Sequence, residues 1–112
     1  MTIEIKITYK AFSNEKNNRP VTSLSFVLPS EYETYATRIT NVGLCDVIYD
    51  VTNQQITTNA LWQVIEPLLP ANRTHTSLSV GDEVTINNNT YLCADFGWEF
   101  IGVEQLTTGG NN

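Results

Sequence analysis

A run of three asparagines lies between two short apolar segments and limits the paths that the C-terminal half of the chain can take. Before the run, Val84 and Ile86 alternate with polar residues, which is typical of a half-buried strand. Asn tolerates left-handed backbone better than most residues, so residues 87–89 can reverse the chain in a tight turn. Residues 91–94 are apolar again and can return antiparallel. The pattern therefore predicts a β-hairpin whose first strand spans residues 80–86.

The N-terminal third of the chain carries two more alternating segments. The second segment stops at Pro29, because proline has no N–H with which to continue a ladder. Polar residues fill the other face of both segments, so each predicts a strand with one buried side. The alternating apolar residues of the two strands are Ile3, Ile5, Ile7, Tyr9, Leu24, Phe26 and Leu28.

Two further strands are predicted later in the chain. After the hairpin, Gly97 permits a bend between two aromatic residues, and a last short strand then carries Trp98 and Phe100 on one face. Residues 44–51 are dense in Val, Ile and Tyr, which favour strands. We therefore expect residues 44–51 to form a strand in the middle of the chain.

A first helix is predicted over residues 30–43. Ser30 and Glu33 have the spacing of a capping box, in which each side chain binds the backbone N–H of the other residue. Gly43 is typical of the residue that ends a helix. The apolar residues between these limits lie on one stripe, which indicates packing against the core.

A second helix is predicted after residue 58. Thr58 or Asn59 can cap its first turn, and the apolar residues that follow recur at intervals of three and four. Pro67 lacks the N–H that a helix interior needs, so we expect it to end or kink the helix near Glu66.

These elements predict one α+β domain over residues 1–105. We expect a mainly antiparallel, partly rolled sheet of five or six strands with two helices packed on it. A chain of 112 residues can bury one modest core without a metal or a disulfide. Residues 106–112 contain nothing to bury, so we predict a disordered tail there.

Charge is unevenly distributed along the sequence. The net charge is −6: residues 1–38 carry five basic and four acidic residues, whereas residues 39–112 carry one basic and eight acidic residues. Binding to duplex DNA needs clustered Lys and Arg, so we do not expect nucleic acid as the partner. A basic protein partner fits the acidic half. The residues for an alternative, nucleic-acid-binding patch are Lys6, Lys10, Lys16 and Arg19.

Neither the cysteines nor the N-terminus indicates secretion. Cys45 and Cys93 lie in apolar surroundings, outside any CxxC motif, and are predicted to be buried free thiols, with a disulfide between them as the alternative. The N-terminus alternates polar and apolar residues and has no apolar core of signal-peptide length. No run approaches the roughly 18 apolar residues of a membrane span. We therefore expect a cytoplasmic protein.

Residues that could carry chemistry do not form a recognisable catalytic motif. His75 is the single histidine and is flanked by hydroxyl residues that fit turn bonds better than nucleophiles. A Cys93–His75 pair is conceivable, but a thiol in apolar sequence has nothing to lower its pKa. A carboxylate site could combine Asp82 and Glu83 with Asp46, Asp95 or Glu99, but their spacing matches no calcium loop. A small metal-dependent hydrolase using Asp82 and Asp95 is therefore only an alternative. We expect no enzyme activity, cofactor or metal.

The acidic and aromatic residues of the last third are better interpreted as a binding surface. Carboxylates on strands are typical of solvated charges that protect sheet edges. Aromatic residues among carboxylates lack the flanking Lys or Arg that base stacking normally uses. The candidate binding residues are His75, Asp82, Glu83, Asp95, Trp98 and Glu99.

One segment resembles a known family. The sequence HTSLSVGDEV, a short turn and YLCADFGWEFI are similar to the C-terminal signature of YodL-like and related small domains of plasmids, phages and mobile elements. The resemblance covers roughly residues 56–103. Glu83 stands where that family prefers an apolar residue. The family supplies no established activity and no catalytic residues to transfer.

The resemblance implies an accessory protein of a mobile genetic element inside a prokaryotic cell. We predict a non-enzymatic binding protein that contacts a host or element-encoded protein through its acidic second half. One version of this hypothesis is that the protein antagonises a host defence system. The alternatives are a nucleic-acid-binding barrel resembling the PUA-like group and the small hydrolase described above.

Overall fold

The computed structural model describes residues 2–11, 21–70 and 77–103. Five strands and three helices follow one another along these segments, with short 3-10 turns over Ser30–Tyr32 and Glu66–Leu68. The strands are β1 (Glu4–Tyr9), β2 (Thr22–Val27), β3 (Glu83–Ile86), β4 (Asn89–Cys93) and β5 (Trp98–Val103). The helices are α1 (Glu33–Ala36), α2 (Asn41–Gln54) and α3 (Ala60–Ile65).

The five strands form one antiparallel sheet in the order β2-β1-β3-β4-β5. β1 lies inside the sheet and pairs with β2 on one side and β3 on the other, so a strand from the first ten residues pairs with one from the C-terminal third. Over residues 2–11, 21–70 and 77–103 the sheet does not close, and β2 and β5 are its edges. The predicted α+β class with a mainly antiparallel sheet is confirmed.

One face of the sheet carries the core. Successive side chains of a strand point to opposite faces. Ile5 and Ile7 are buried with Val84 and Ile86 beneath the helices, whereas the opposite face is polar. There the register sets Lys6 between Ser25 of β2 and Thr85 of β3. The N-terminal alternation was thus sufficient to predict which face is buried.

The predicted strand over residues 44–51 is wrong, because these residues lie in α2. The Thr40 side chain accepts a hydrogen bond from the Gly43 N–H at 3.0 Å and caps this helix. The buried residues of α2 recur at helical spacing: Leu44, Cys45, Ile48, Val51 and Thr52. Burial of this stripe outweighs the modest preference of Val, Ile and Tyr for strands.

The predicted helix over residues 30–43 is too long, because helical turns cover only Ser30–Tyr32 and Glu33–Ala36 before α2 begins. Ser30 and Glu33 form no capping box; the 3-10 turn at residue 30 and the short α1 that follows have no side-chain cap. Gly43 lies in the first turn of α2 and ends no helix. A capping box can therefore occur as a sequence spacing without the longer helix it usually announces.

The predicted start and end of the second helix are confirmed. Asn59 Oδ1 accepts hydrogen bonds from the N–H groups of Leu61 and Trp62 at 2.9 and 3.0 Å. α3 ends at Ile65, and Pro67 lies in the 3-10 turn that follows. α3 packs against α2 and β2.

The predicted hairpin and bend are confirmed as well. Asn87 and Asn88 have φ angles of 45° and 76° and connect β3 to β4. Gly97, with φ 78°, turns the chain from β4 into β5. The first hairpin strand is shorter than predicted, because residues 80–82 form a turn before β3. Val80, at the start of the predicted strand, is 53% exposed, whereas Leu78 is buried.

Both cysteines are free and buried, as predicted. Burial raises the pKa of the Cys45 thiol to about 12, and the Asp46 carboxylate adds to the rise. Burial also raises the pKa of Cys93, and Asp82 and Asp46 act in the same direction. Neither thiol is poised as a nucleophile at neutral pH, because the reactive form is the thiolate.

Several predictions fall on residues outside the described ranges. They are the tail over residues 106–112, the basic residues Lys16 and Arg19, and His75. No helix among the described residues has the length and apolar character needed to span a membrane.

Candidate binding cleft

The carboxylates predicted to form one acidic surface have separate surroundings. Asp82 is 1% exposed, and the prediction of a solvated edge charge at this position is wrong. Its Oδ1 accepts hydrogen bonds from the N–H groups of Lys10 and Ala11, both at 2.8 Å, and its Oδ2 accepts one from Ser79 at 2.9 Å. A buried carboxylate satisfied in this way is a structural tie, which we call the Asp82 tie.

The Asp82 tie joins the end of β1 to the turn that leads into β3. Gly81 occupies that turn with φ 102°, and its N–H binds the Cys93 carbonyl at 2.8 Å. Cys93 in turn donates its N–H to the Asp82 carbonyl at 2.8 Å. Asp82 therefore secures contacts between segments distant in sequence and presents no charge to a partner.

Glu83 and Glu99 lie on the polar face of the sheet, away from the helices. Glu83 forms an ion pair with Lys10 at 2.7 Å, which neutralises one cation of the alternative nucleic-acid patch. Glu99 pairs with Leu92 across β4 and β5. Neither glutamate belongs to the same surface as Asp95 and Trp98, which face the helix side.

Asp95 and Trp98 line a cavity of about 180 Å³ between α2 and the bend that joins β4 to β5. The wall from α2 is provided by Asp46 and Tyr49. Cys93, at the end of β4, also lines the cavity and is 5% exposed. We call the space bounded by these five residues the acidic cleft.

Trp98 is held in place from two sides. Its indole Nε1–H donates a hydrogen bond to Asp46 Oδ1 at 3.0 Å. The ring of Tyr49 meets it edge-on, with centroids 6.4 Å apart and planes at 84°. These contacts fix the indole plane and orient the Asp46 carboxylate, whose Oδ2 can accept further hydrogen bonds.

The chemistry of the acidic cleft fits a cation. Carboxylates form charge-assisted hydrogen bonds with ammonium and guanidinium groups, and aromatic faces attract the same groups. The sequence has no Lys or Arg within residues 39–70 or 77–103, the described part of the acidic half. No basic side chain of these segments therefore competes for the carboxylates of Asp46 and Asp95.

Sequence reasoning missed Tyr49 and considered Asp46 only for a carboxylate site, not for the binding surface, because residues 44–51 were assigned to a strand. The signal was present: the apolar residues Leu44, Ile48 and Val51 recur at intervals of three and four, which is the period of a helix. On a helix, Asp46 and Tyr49 lie one turn apart and beside each other. That placement lets both reach the same cavity.

A second cavity, of about 380 Å³, lies on the polar face of the sheet. Its lining includes Glu4, Lys6, Ser25 and Thr85. Both signs of charge are present in this lining, so it gives no preference for a cation or an anion. Within residues 2–11, 21–70 and 77–103, no three His, Cys, Asp or Glu side chains are grouped so that they could hold a metal ion.

Comparisons with known proteins add no name to this site. The chain matches no family model, and no curated protein or solved structure matches it either. The resemblance to YodL-like domains therefore remains a prediction.

Proposed function

We propose that the protein is a non-enzymatic binding protein and that its acidic cleft takes a Lys or Arg side chain of a partner protein. The observation that carries the proposal is the juxtaposition of Asp46, Asp95 and the fixed indole of Trp98 around one cavity. A basic side chain entering there meets negative charge and an aromatic face together.

The size of the acidic cleft favours a side chain over a larger ligand. A volume of about 180 Å³ is below the roughly 300 Å³ at which pockets for drug-sized molecules begin. An extended side chain with a charged end fits such a space, because its methylene groups can lie on Trp98 and Tyr49 while its charge meets the carboxylates.

A test uses single basic residues as probes. Nα-acetyl-lysine methylamide and its arginine counterpart are titrated into ¹⁵N-labelled protein, with Nα-acetyl-norleucine methylamide as the uncharged control. We expect the two basic probes to shift the indole Nε1–H signal of Trp98 and the amide signals of the 95–97 bend, and norleucine to leave them in place.

Matched variants assign any effect to the acidic cleft. Asp46→Asn removes a carboxylate from the cleft, whereas Asp50→Asn removes one from α2 that does not line it. Weaker binding by the first variant alone supports the proposal. Equal responses to the lysine and norleucine probes, or shifts confined to residues away from the cleft, refute it.

The setting of this function is proposed from the resemblance. A small acidic accessory protein of a mobile element can bind a basic host or element-encoded protein, including a component of a defence system. Exchange of the cleft carboxylates for amides would then abolish capture of that partner while leaving the fold intact.

A further inference from the structure

The edge strand β5 is unusually apolar for a strand that has no neighbour on one side among the described residues. Phe96, in the bend before it, is 97% exposed, and Phe100 and Val103 are 54% and 63% exposed. Ile101 lies at an irregularity in the pairing with β4 and is 47% exposed. Edge strands of this kind pair with other chains unless charge or a covering segment prevents it.

The direction of the backbone groups of β5 follows from the bonds of β4. Cys93 exchanges hydrogen bonds with Gly81 and Asp82, so its N–H and C=O point toward β3. Ala94 donates to the Gly97 carbonyl at 2.9 Å, toward β5. Because this direction alternates along antiparallel strands, the N–H and C=O groups of Trp98 and Phe100 point away from β4.

We propose that an extended segment of a partner protein adds to the sheet along β5 and places a basic side chain in the acidic cleft. The inference rests on the proposed function and specifies how the partner is held. Trp98 belongs to both features, since its side chain walls the cleft and its backbone faces outward. Main-chain bonds would provide affinity, and the cleft would provide selectivity.

The geometry also specifies the sequence of the segment. On the helix side of β5, Trp98 is followed at the next same-face position by Phe100, which packs on Tyr91 with ring centroids 5.5 Å apart. A strand paired with β5 alternates its side chains with the same period. The segment therefore carries a Lys or Arg opposite Trp98 and an apolar residue two positions away, opposite Phe100.

Charge excludes a second copy of this chain as the favoured occupant. Asp46 and Asp95 line the cleft beside Trp98 of β5, and residues 39–70 and 77–103 contain no Lys or Arg to offset them. Pairing β5 with β5 would bring two such acidic sets together, and like charges at close range are repulsive. A basic strand is attracted by the same field.

The test uses a short peptide, blocked at both ends, that alternates Thr with Val and has Lys in place of one central Val. A second peptide replaces Lys by norleucine. A third keeps Lys but is N-methylated at alternate residues, so that it cannot donate backbone hydrogen bonds to β5. We expect the first peptide to bind at least about tenfold more tightly than the third, because several main-chain bonds are lost.

Variants of the protein test the same edge. Phe100→Pro removes an outward N–H and the ring, whereas Phe100→Ala removes the ring alone. Proline is tolerated at such edge positions, and Ser25→Pro makes the equivalent backbone change on β2, at the opposite edge of the sheet. We expect Phe100→Pro to bind the Lys peptide more weakly than Phe100→Ala does, and Ser25→Pro to bind it normally.

The outcomes separate this inference from the proposed function. Equal binding of the Lys peptide and its N-methylated form refutes strand addition, while selective binding of the lysine methylamide keeps the cleft proposal. Failure of that methylamide, with norleucine and Lys peptides bound equally, refutes the cleft as a cation site. Self-association in sedimentation experiments that Phe100→Pro abolishes would identify a second copy as the occupant and overturn the inference.

Discussion

Asp82 and Asp95 are carboxylates of the same acidic half in opposite surroundings. Asp82 is 1% exposed and bound by three backbone N–H groups, whereas Asp95 is exposed and lines the acidic cleft. The Asp82 carboxylate is therefore hydrogen-bonded inside the fold, whereas the Asp95 carboxylate is accessible to solvent and to a partner. An excess of acidic residues in a sequence thus does not by itself indicate an acidic surface, because backbone N–H groups can bind and bury some of the carboxylates.

The largest expected effect tests the buried member of this pair. Asp82→Asn replaces one acceptor oxygen by an NH₂ group that faces backbone donors, so we expect the free energy of unfolding to fall by about 2–3 kcal/mol. Urea denaturation followed by circular dichroism measures the loss.

Glu83→Gln provides the control for this experiment. It removes the neighbouring, partly exposed ion pair with Lys10, and we expect less than about 1 kcal/mol. A folded Asp82→Asn protein with wild-type stability but no affinity for the Lys peptide would reverse the assignment and make Asp82 a binding residue.

Substitution of Trp98 tests the acidic cleft, which Asp95, the exposed member of the comparison, also lines. Trp98→Ala removes the aromatic wall and the donor that orients Asp46, so affinity for the Lys peptide should fall about tenfold or more. Trp98→Phe keeps an aromatic ring but loses the indole N–H, so its affinity for the Lys peptide should lie between those of the wild type and Trp98→Ala. Calorimetry measures both, and Trp62→Phe, within the core, serves as the control. Unchanged affinity in Trp98→Ala would remove the indole from the site.

The buried thiol of Cys45 gives a second contrast between a group inside the fold and one exposed to solvent, and this contrast can be measured through its dependence on pH. The pKa of Cys45 is raised from 9.0 to about 12, so at pH 8 its thiolate fraction is roughly a thousandfold below that of an unfolded thiol. We expect iodoacetamide to label Cys45 at least about a hundredfold more slowly in the folded protein than in urea, by mass spectrometry. The stability that comes from the protonated thiol is fully present below pH 9 and is lost as the pH rises toward 12. Rapid labelling of folded protein at pH 8 would contradict its burial.

The smallest effect separates the two carboxylates of the acidic cleft. Asp46 is oriented by Trp98, whereas none of the hydrogen bonds described for the cleft orients Asp95. Asp46→Asn should therefore reduce affinity for the lysine methylamide severalfold, and Asp95→Asn by about twofold. Both effects should shrink as salt is added. The opposite ranking would show that orientation by the indole has no influence on binding.

Local sequence patterns predicted much of the fold and less of the site. The alternation in β1, the Asn cap of α3 and the turn at residues 87–88 depend on neighbours in sequence, and each was predicted. Residues 44–51 satisfied both strand composition and helical spacing, and only the core beneath them selected the helix. The burial and hydrogen bonding of Asp82 could not be predicted from local sequence, because two of its donors, at residues 10 and 11, lie about 70 positions away in the chain.

Cys93 connects the frame of the molecule to its surface. Its main chain is bonded to Gly81 and Asp82, while its side chain forms part of the cleft wall. If the proposed ligand immobilises the side chain of Cys93, we expect it also to stabilise the junction between β1 and the hairpin of β3 and β4, through the main-chain bonds of Cys93. Binding in the acidic cleft should then slow hydrogen exchange at the backbone amides of Lys10 and Ala11, although neither amide needs to contact the ligand.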